Sequence, residues 1–313
     1  MSGPSTLPPA DVDITPTLIH DLLSDQHPDL AGLPLGSRHV SWDNVTTRLG
    51  DHLAVRMPRI IAAVPLLERE ITWLPIVSTG WTFDAPVPVV TGSPGHGYPW
   101  RWSVVPWFEG SDAMETRLTG AGVAEFGRAL RQVHITAPEG SPHTPYRTTP
   151  LREREGEALD RIDAIDAKAG PLDLEWASDA ARKLWAEASA LPWPAPSWVH
   201  ADLHPGNVIT RDGHLAAIID WGEAGAGDPA LDLGQLWLFF DPSDVERALA
   251  AYGDVDDDLL LRIQGECLAN ALRLVCGNYP PFMALGWKAL TGLGLAQGAG
   301  PASAQVASDT TSD

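Results

Sequence analysis

Residues 197–222 read S-W-V-H-A-D-L-H-P-G-N-V-I-T-R-D-G-H-L-A-A-I-I-D-W-G, and the rest of the chain is read outward from them. The apolar pair Trp198–Val199 leads into a polar turn, His200 to Asn207. Val208–Thr210 follows, then a turn at Arg211-Asp212-Gly213, then a second apolar run, Leu215–Ile219, that ends at Asp220. Short runs of Val and Ile bounded by Gly and Asp predict paired strands joined by a hairpin. Such a hairpin brings Asp202, Asn207 and Asp220 to one end of the ribbon. Two carboxylates and an amide oxygen suit a hard cation such as Mg²⁺ that also holds phosphate oxygens.

The pattern His200-x-Asp202-x-x-x-x-Asn207, followed by Ile219-Asp220-Trp221, resembles the catalytic and metal motifs of the aminoglycoside phosphotransferase family, small-molecule kinases with the protein-kinase fold. Protein kinases carry the related H-R-D-x-x-x-x-N and D-F-G. Downstream, Gly227-Asp228-Pro229-x-x-Asp232-Leu233 matches the family's G-D-P-x-x-D-L. The resemblance covers roughly residues 33 to 275 and is strongest over 198–233. It implies an α+β, two-lobed fold. A small β-rich nucleotide-binding lobe over 1–106 precedes a larger, mostly helical catalytic and substrate-binding lobe over 107–313.

Two plainer readings of the same residues stay open. Asp and Asn in a Pro-Gly turn often only bond their own backbone. The alternation His200-x-Asp202-x-His204 would suit a metal hydrolase, although zinc asks for a third or fourth ligand and no second His cluster of suitable spacing is visible.

The resemblance also assigns roles. Asp202 is the expected catalytic base, Asn207 and Asp220 the Mg²⁺ ligands, and ATP or GTP the phosphoryl donor. His200, Asp228 and Asp232 are expected to support the site, with Asp228 capping a helix whose first residue is Pro229 and Asp232 ordering the catalytic loop. Upstream, Val45, Thr47 and Leu49 alternate, Gly50-Asp51 turns, and Leu53, Val55 and Met57 alternate back, which predicts a hairpin. This resembles the family's nucleotide-covering hairpin, with Ser41-Trp42-Asp43-Asn44 in its loop and Arg56 in place of the usual phosphate-pairing lysine. The loop has one glycine, Gly36, where the wider pattern has three, and no lysine precedes Lys168. Arg56 can still pair phosphate through two parallel N–H bonds. The helix predicted over 68–74 carries Glu70, the expected partner of Arg56, with Glu68 as competitor. Strands are predicted at 87–90 and 102–110, and the second resembles the inter-lobe hinge, with nucleotide base against Val105–Trp107. Trp102 reads as core.

Amphipathic periodicity predicts a leading helix over 16–30, then helices over 118–133, 152–169, 176–191, 244–251, 256–276 and 282–296. The Pro-, Ser- and Gly-rich ends, 1–15 and 300–313, read as frayed tails. Candidate acceptor contacts are Glu223, Asp254, Glu266, Tyr279 and Trp287. The acids suit a polycationic aminoglycoside, whereas the aromatics suit a macrolide or nucleoside antibiotic. The run Asp256–Asp258 reads as a helix start.

Composition bounds the answer. A formal charge of −20 speaks against nucleic acid, which needs basic footprints. No segment reads as a signal peptide or membrane span, so the expected place is the cytoplasm. Cys267 and Cys276 stand nine residues apart on opposite faces of one predicted helix and cannot pair. The chain is expected to be a monomer or homodimer. An antibiotic-inactivating kinase is the first reading. A metabolic kinase of the same fold and a nucleotide-binding regulatory pseudoenzyme are the alternatives.

Overall fold

The computed structural model describes residues 7–145, 147–172 and 175–297. The tail expected at 300–313 lies outside them, as do residues 1–6. Part of the other expected tail is packed. Ile14 is buried, Arg59 donates to the carbonyl of Pro8 at 2.7 Å, and the Ile61 N–H donates to Asp11 Oδ2 at 2.7 Å.

Helix α1 (Pro16–Gln26) is capped by Thr15, whose hydroxyl accepts from the Leu18 N–H. It stops earlier than its periodicity suggests, because His27 precedes Pro28 and a pre-proline residue avoids the α region. Strands β1 (Leu35–Val40), β2 (Asn44–Leu49) and β3 (Leu53–Pro58) follow, then helix α2 (Val64–Val77) and strands β4 (Val90–Gly92) and β5 (Trp102–Pro106). They form one antiparallel sheet in the order β1-β2-β3-β5-β4. The β2–β3 turn is as expected, with Leu49 opposite Leu53 and Gly50 in the left-handed region.

The later strands differ from expectation. Pro86 and Pro88 have no N–H to give a ladder, so pairing becomes regular only from Val90. The predicted strand 102–110 ends at Pro106. Trp102 is fully buried and lies across Gly92, where a Cβ would sit 1.9 Å from the indole. Its core includes Ile14, Ile19, Leu22, Val55 and Val104.

The second, mostly helical part begins with β6 (Ser111–Asp112), α3 (Ala121–Val133), α4 (Glu155–Leu172), β7 (Glu175–Trp176) and α5 (Ser178–Ser189). It continues with β8 (Ser197–Val199), β9 (Val208–Arg211), β10 (His214–Ile218) and β11 (Gly225–Gly227). The remaining helices are α6 (Ala230–Leu233), α7 (Leu236–Phe239), α8 (Pro242–Tyr252), α9 (Asp257–Val275) and α10 (Pro280–Gly292), before β12 (Ala296–Gln297). Its core gathers Phe126, Ile162, Trp185, Leu268, Leu272 and Leu290. This is the α+β architecture expected, a small β-rich lobe ahead of a larger helical one. Among the described residues no helix is long and apolar enough to cross a membrane.

Candidate functional site

The site is built on two antiparallel ribbons. Strand β8 pairs with β11, and β9 with β10, so that Ile218 faces Val208. The turn 200–207 therefore starts and ends beside the close of β10. The Ile219 N–H donates to the carbonyl of Asn207 at 2.9 Å, and Asn207 Nδ2 donates to the carbonyl of Asp202 at 2.9 Å. Asp202, Asn207 and Asp220 gather at one end, as the hairpin predicts.

Asp232 sits beneath this turn with no exposed surface. One carboxylate oxygen accepts from the His200 N–H at 2.7 Å and the other from the Ala201 N–H at 2.9 Å. His134 Nε2 lies 3.0 Å from the same carboxylate, and its Nδ1 lies 3.0 Å from the Tyr252 hydroxyl. Burial alone would raise the Asp232 carboxyl, but the hydrogen bond from His134 and the charges and N–H around it hold it below the ordinary range. These bonds stabilise Ala201 at φ 63°, a left-handed conformation that costs any residue with a Cβ. Asp220 adopts φ 64°, which aspartate tolerates better.

His200 is spent on the loop. Its Nε2 lies 2.9 Å from the Ile219 carbonyl, its Nδ1 accepts from the Asp202 N–H at 3.3 Å, and its ring packs against Trp221 at 4.5 Å. The His204 Nδ1 accepts from the Gly206 N–H at 3.1 Å, and the ring meets Phe282 edge-on. The two histidines thus do not converge with Asp202 as metal ligands, and among the described residues no three His, Cys, Asp or Glu side chains do. That arrangement gives no support to the hydrolase reading.

Arg56 on β3 lies between two acids. Its Nη2 is 2.7 Å from Asp220 Oδ1 and 3.1 Å from Glu70 Oε1, while Nε lies 3.0 Å from Glu70 Oε2, off-axis for a hydrogen bond. Glu70, on α2, also accepts from the Trp221 N–H at 2.8 Å. Burial opposes the charge on Arg56, yet Glu70 and Asp220 outweigh it and hold the guanidinium protonated above its usual range. Burial also pushes the Glu70 carboxyl up, against the pull of Arg56. The competitor Glu68 pairs with Arg101 at 2.8 Å.

In the hairpin loop, the Ser41 hydroxyl accepts from the Asn44 N–H at 3.1 Å and closes the turn, leaving Trp42 exposed at the tip. Asp43 in the same loop has its carboxyl raised by burial and by Asp220. Val105 is buried in the ladder opposite Ala54. The Trp107 N–H donates to the His52 carbonyl at 2.8 Å and so is not free to bond a base. Arg48 lies over the Trp107 ring.

The candidate acceptor contacts divide. Glu223 lies 3.8 Å from Arg69. Glu266 is buried on α9 in an ion pair with Arg154 and does not line the cavity beside Asp202. Trp287 is buried in the core as well. Asp254 is exposed in the α8–α9 connection and does not line the cavity beside Asp202. Tyr279 is exposed and touches the site only by its edge contact with Phe282. Helix α6 starts at Ala230, one residue later than expected. Asp228 Oδ1 still accepts the Ala230 N–H at 2.9 Å, and Arg262 bonds its other oxygen at 2.8 Å.

Beside Asp202 opens a cavity of about 120 Å³, and two arginines missed in the sequence line it, Arg147 and Arg273. Arg147 Nη1 lies 2.5 Å from Asp202 Oδ1. Burial would raise the Asp202 carboxyl, but Arg147 first, then His204, His200 and Arg273, bring it below the ordinary carboxylate range. Nothing local marks either arginine, since one is in a proline-rich loop and the other on a helix, each far along the chain from Asp202.

A sequence profile of the phosphotransferase enzyme family matches residues 36–263. Viomycin phosphotransferase from Streptomyces vinaceus is 34% identical over 97 residues, which are 30% of this chain and 34% of that protein. YcbJ from Bacillus subtilis is 30% identical over 82 residues, 26% of each chain. The chain thus spans about a third or less of these relatives. Among solved structures, the GDP complex of aminoglycoside 2'-phosphotransferase-IIIa is similar at 18% identity with a TM-score of 0.60, covering 88% of this chain and 97% of the other. Macrolide 2'-phosphotransferase MphH from Brachybacterium faecium aligns at 21% identity with a TM-score of 0.58, covering 86% and 97%.

Proposed function

This chain belongs to the phosphotransferase enzyme family, and on that premise we propose that it moves the γ-phosphoryl group of ATP or GTP to a hydroxyl of a small molecule. The observation that carries this reading is the gathering of Asp202, Asn207 and Asp220 at one end of the β9–β10 ribbon, beside a cavity. The acceptor oxygen forms a bond to the γ-phosphorus as the bond from that phosphorus to the β,γ-bridging oxygen breaks. The hydroxyl proton passes to Asp202 and then to solvent, leaving a phosphate ester and a nucleoside diphosphate. Such transfer asks the protein mainly for positioning and charge neutralisation.

Each residue then has a task. Asp202, kept ionised by Arg147, orients the hydroxyl and takes its proton. Asn207 and Asp220 fit Mg²⁺. The Asn207 amide nitrogen is tied to the Asp202 carbonyl, so its oxygen is left for a ligand, and the Asp220 carboxylate is partly exposed. One carboxylate and one amide are the sparse protein share that Mg²⁺ takes when phosphates and waters complete its shell. When bound, the ion neutralises the phosphate charge. Arg56, steadied by Glu70, would hold the phosphates, and the loop closed by Ser41 belongs to the same hairpin. The family resemblance puts the base against the hinge at Val105–Trp107, where the Trp107 N–H, already bonded to the His52 carbonyl, gives it no hydrogen bond. We set the lobe boundary at 106/107, where β5 ends, and place the reaction in the cytoplasm, where the donor is available and Cys267 and Cys276 stay free thiols.

The relatives' names bring viomycin, aminoglycoside and macrolide acceptors, and with them antibiotic resistance, as the first chemistries to test. The residue-level case for a polycation is weak, since Glu266 and Asp254 do not line the cavity. A metabolic acceptor is the second reading, favoured by the arginines that do. The regulatory reading rests on the missing lysine and the single loop glycine; the Arg56–Glu70 pair speaks against the first of these. The test is nucleoside diphosphate release with ATP and with GTP, plus Mg²⁺, across these antibiotics and simple hydroxylated metabolites. Acceptor-dependent release supports the proposal; a protein that binds neither nucleotide refutes it.

Two further outcomes are expected. Arg56→Ala raises the KM for nucleotide by about 10- to 100-fold, the worth of charge-assisted bonds to phosphate, and Arg56→Lys recovers part of it. An unchanged nucleotide KM in Arg56→Ala removes Arg56 from the phosphate site. Arg147→Gln moves the acid limb of the kcat/KM profile to higher pH. Asp202 works as a carboxylate, so activity is present above its pKa and lost as pH falls through it. Removing Arg147 removes the largest lowering influence on that pKa. A pH profile that does not move excludes Arg147 from this role.

A further inference from the structure

The acceptor cavity has a charge that the chain as a whole does not. The protein carries 41 acidic residues against 21 lysines and arginines, yet the cavity beside Asp202 is lined by two arginines and by no acid other than Asp202. Arg147 is committed to Asp202 at 2.5 Å. Arg273 is not committed to any acid. It stands in the last turn of α9, and its polar partner is the neutral amide oxygen of Asn270, at 2.6 Å from Nη2 and 3.2 Å from Nε. Among the described residues no carboxylate lies within 4 Å of it. A cation in the last turn of a helix is favoured by the helix dipole, but that accounts for charge at the helix end, not for a guanidinium lining a cavity beside Arg147.

The neutral side chains around it are themselves arranged. Asn270 bonds Gln235 across from α9, and both line the cavity with Arg273. Leu238, Leu274, Phe282 and Leu285 supply an apolar wall. Arg273 is exposed at the rim of the cavity. Desolvation by its surroundings and the nearby Arg147 lower it to about 10, with Asp202 opposing them from beyond ion-pair distance, so it stays charged at neutral pH with no carboxylate in contact. A planar guanidinium with free donors is the side chain that matches an oxyanion bidentately.

We infer that the acceptor is a hydroxylated molecule carrying an oxyanion, a carboxylate or a phosphate ester, which Arg273 receives while the hydroxyl faces Asp202. This rests on the phosphotransfer reading for the hydroxyl and on the cavity alone for the oxyanion. A polycationic acceptor would bring its ammonium groups against the surplus guanidinium. The apolar wall takes the carbon skeleton between the two polar ends.

The experiment uses one skeleton with four end groups. Binding of 4-(hydroxymethyl)benzoate, 4-(hydroxymethyl)phenyl phosphate, 4-(hydroxymethyl)benzamide and 4-(hydroxymethyl)benzylamine is measured by calorimetry on the full chain with Mg²⁺ and a non-hydrolysable ATP analogue. At least one anion binds about tenfold or more tightly than the amine, as charge-assisted hydrogen bonds allow, and whichever of the two binds better names the oxyanion. Arg273→Gln brings anion and amine to within about threefold of each other, and Arg273→Lys restores the preference in a protein of wild-type melting temperature. An amine that binds as well as both anions, a preference untouched by Arg273→Gln, or no binding of any of the four overturns the inference. Diphosphate release with ATP separates the two readings. A preference that holds while no acceptor gives release removes phosphotransfer and leaves the oxyanion site. Release with a polycationic antibiotic that is undiminished in Arg273→Gln keeps phosphotransfer and removes the oxyanion.

Discussion

Asp202→Asn lowers the turnover of acceptor-dependent diphosphate release by about 10²- to 10⁴-fold, the usual contribution of a positioned general base. The substitution is chosen for what it leaves alone. Asn207 bonds the backbone carbonyl of Asp202, not its side chain, so the turn keeps that bond. The amide keeps the shape of the carboxylate and loses only its charge and its proton affinity. It also leaves the Arg147 guanidinium facing a neutral group, which costs some stability but is relieved by water, since both side chains are partly exposed. The nucleotide contacts proposed for Arg56, Glu70 and Asp220 form a separate set. Turnover should therefore fall while nucleotide binding, measured by calorimetry, stays within about threefold of wild type. A variant that retains wild-type turnover would show that Asp202 is not the base.

Asp232→Ala is expected to damage stability and activity together. The carboxylate has no exposed surface and serves three donors: the N–H groups of His200 and Ala201, and His134. Removing it leaves those donors buried without a partner, and breaking a buried charged network of this kind costs about 3–5 kcal/mol. For a chain of this size the melting temperature then falls on the order of 10 °C. Activity falls further than stability alone accounts for. Ala201 is held at a positive φ by the lost bond, so the turn relaxes and Asp202, the next residue, moves. Asp232→Asn, which keeps one acceptor oxygen, should lie between the two. Thermal unfolding and kcat measured on folded protein at reduced temperature check both parts. An Asp232→Ala protein with wild-type melting temperature would mean the network under the turn is not what supports it.

Much of this site could be read from the chain because its parts are close in sequence. Asp202, Asn207 and Asp220 are separated by a turn and one hairpin, and strand periodicity with Gly-Asp punctuation is enough to bring their ends together. Helix existence was equally legible, since burying one face imposes a repeat. Boundaries moved wherever proline or a terminus interrupted that repeat, as at His27–Pro28, at Pro86 and Pro88, and at Pro106. The packing of Ile14 into the first lobe was hidden by the proline-rich composition around it.

The acceptor side could not be read in the same way. Glu266 and Arg273 lie on one helix seven residues apart, yet the first is buried against Arg154 and the second lines the cavity. Which charge faces which space depends on how α9 sits between its neighbours, and no local pattern encodes that. Arg147 reaches Asp202 from a loop 55 residues away. The sequence by itself determined the family's fold and the gathering of Asp202, Asn207 and Asp220 at one end of a ribbon, because turn chemistry and strand pairing are local. Only the tertiary structure decided the charge of the acceptor cavity, because it is set by side chains that meet through packing across distant elements.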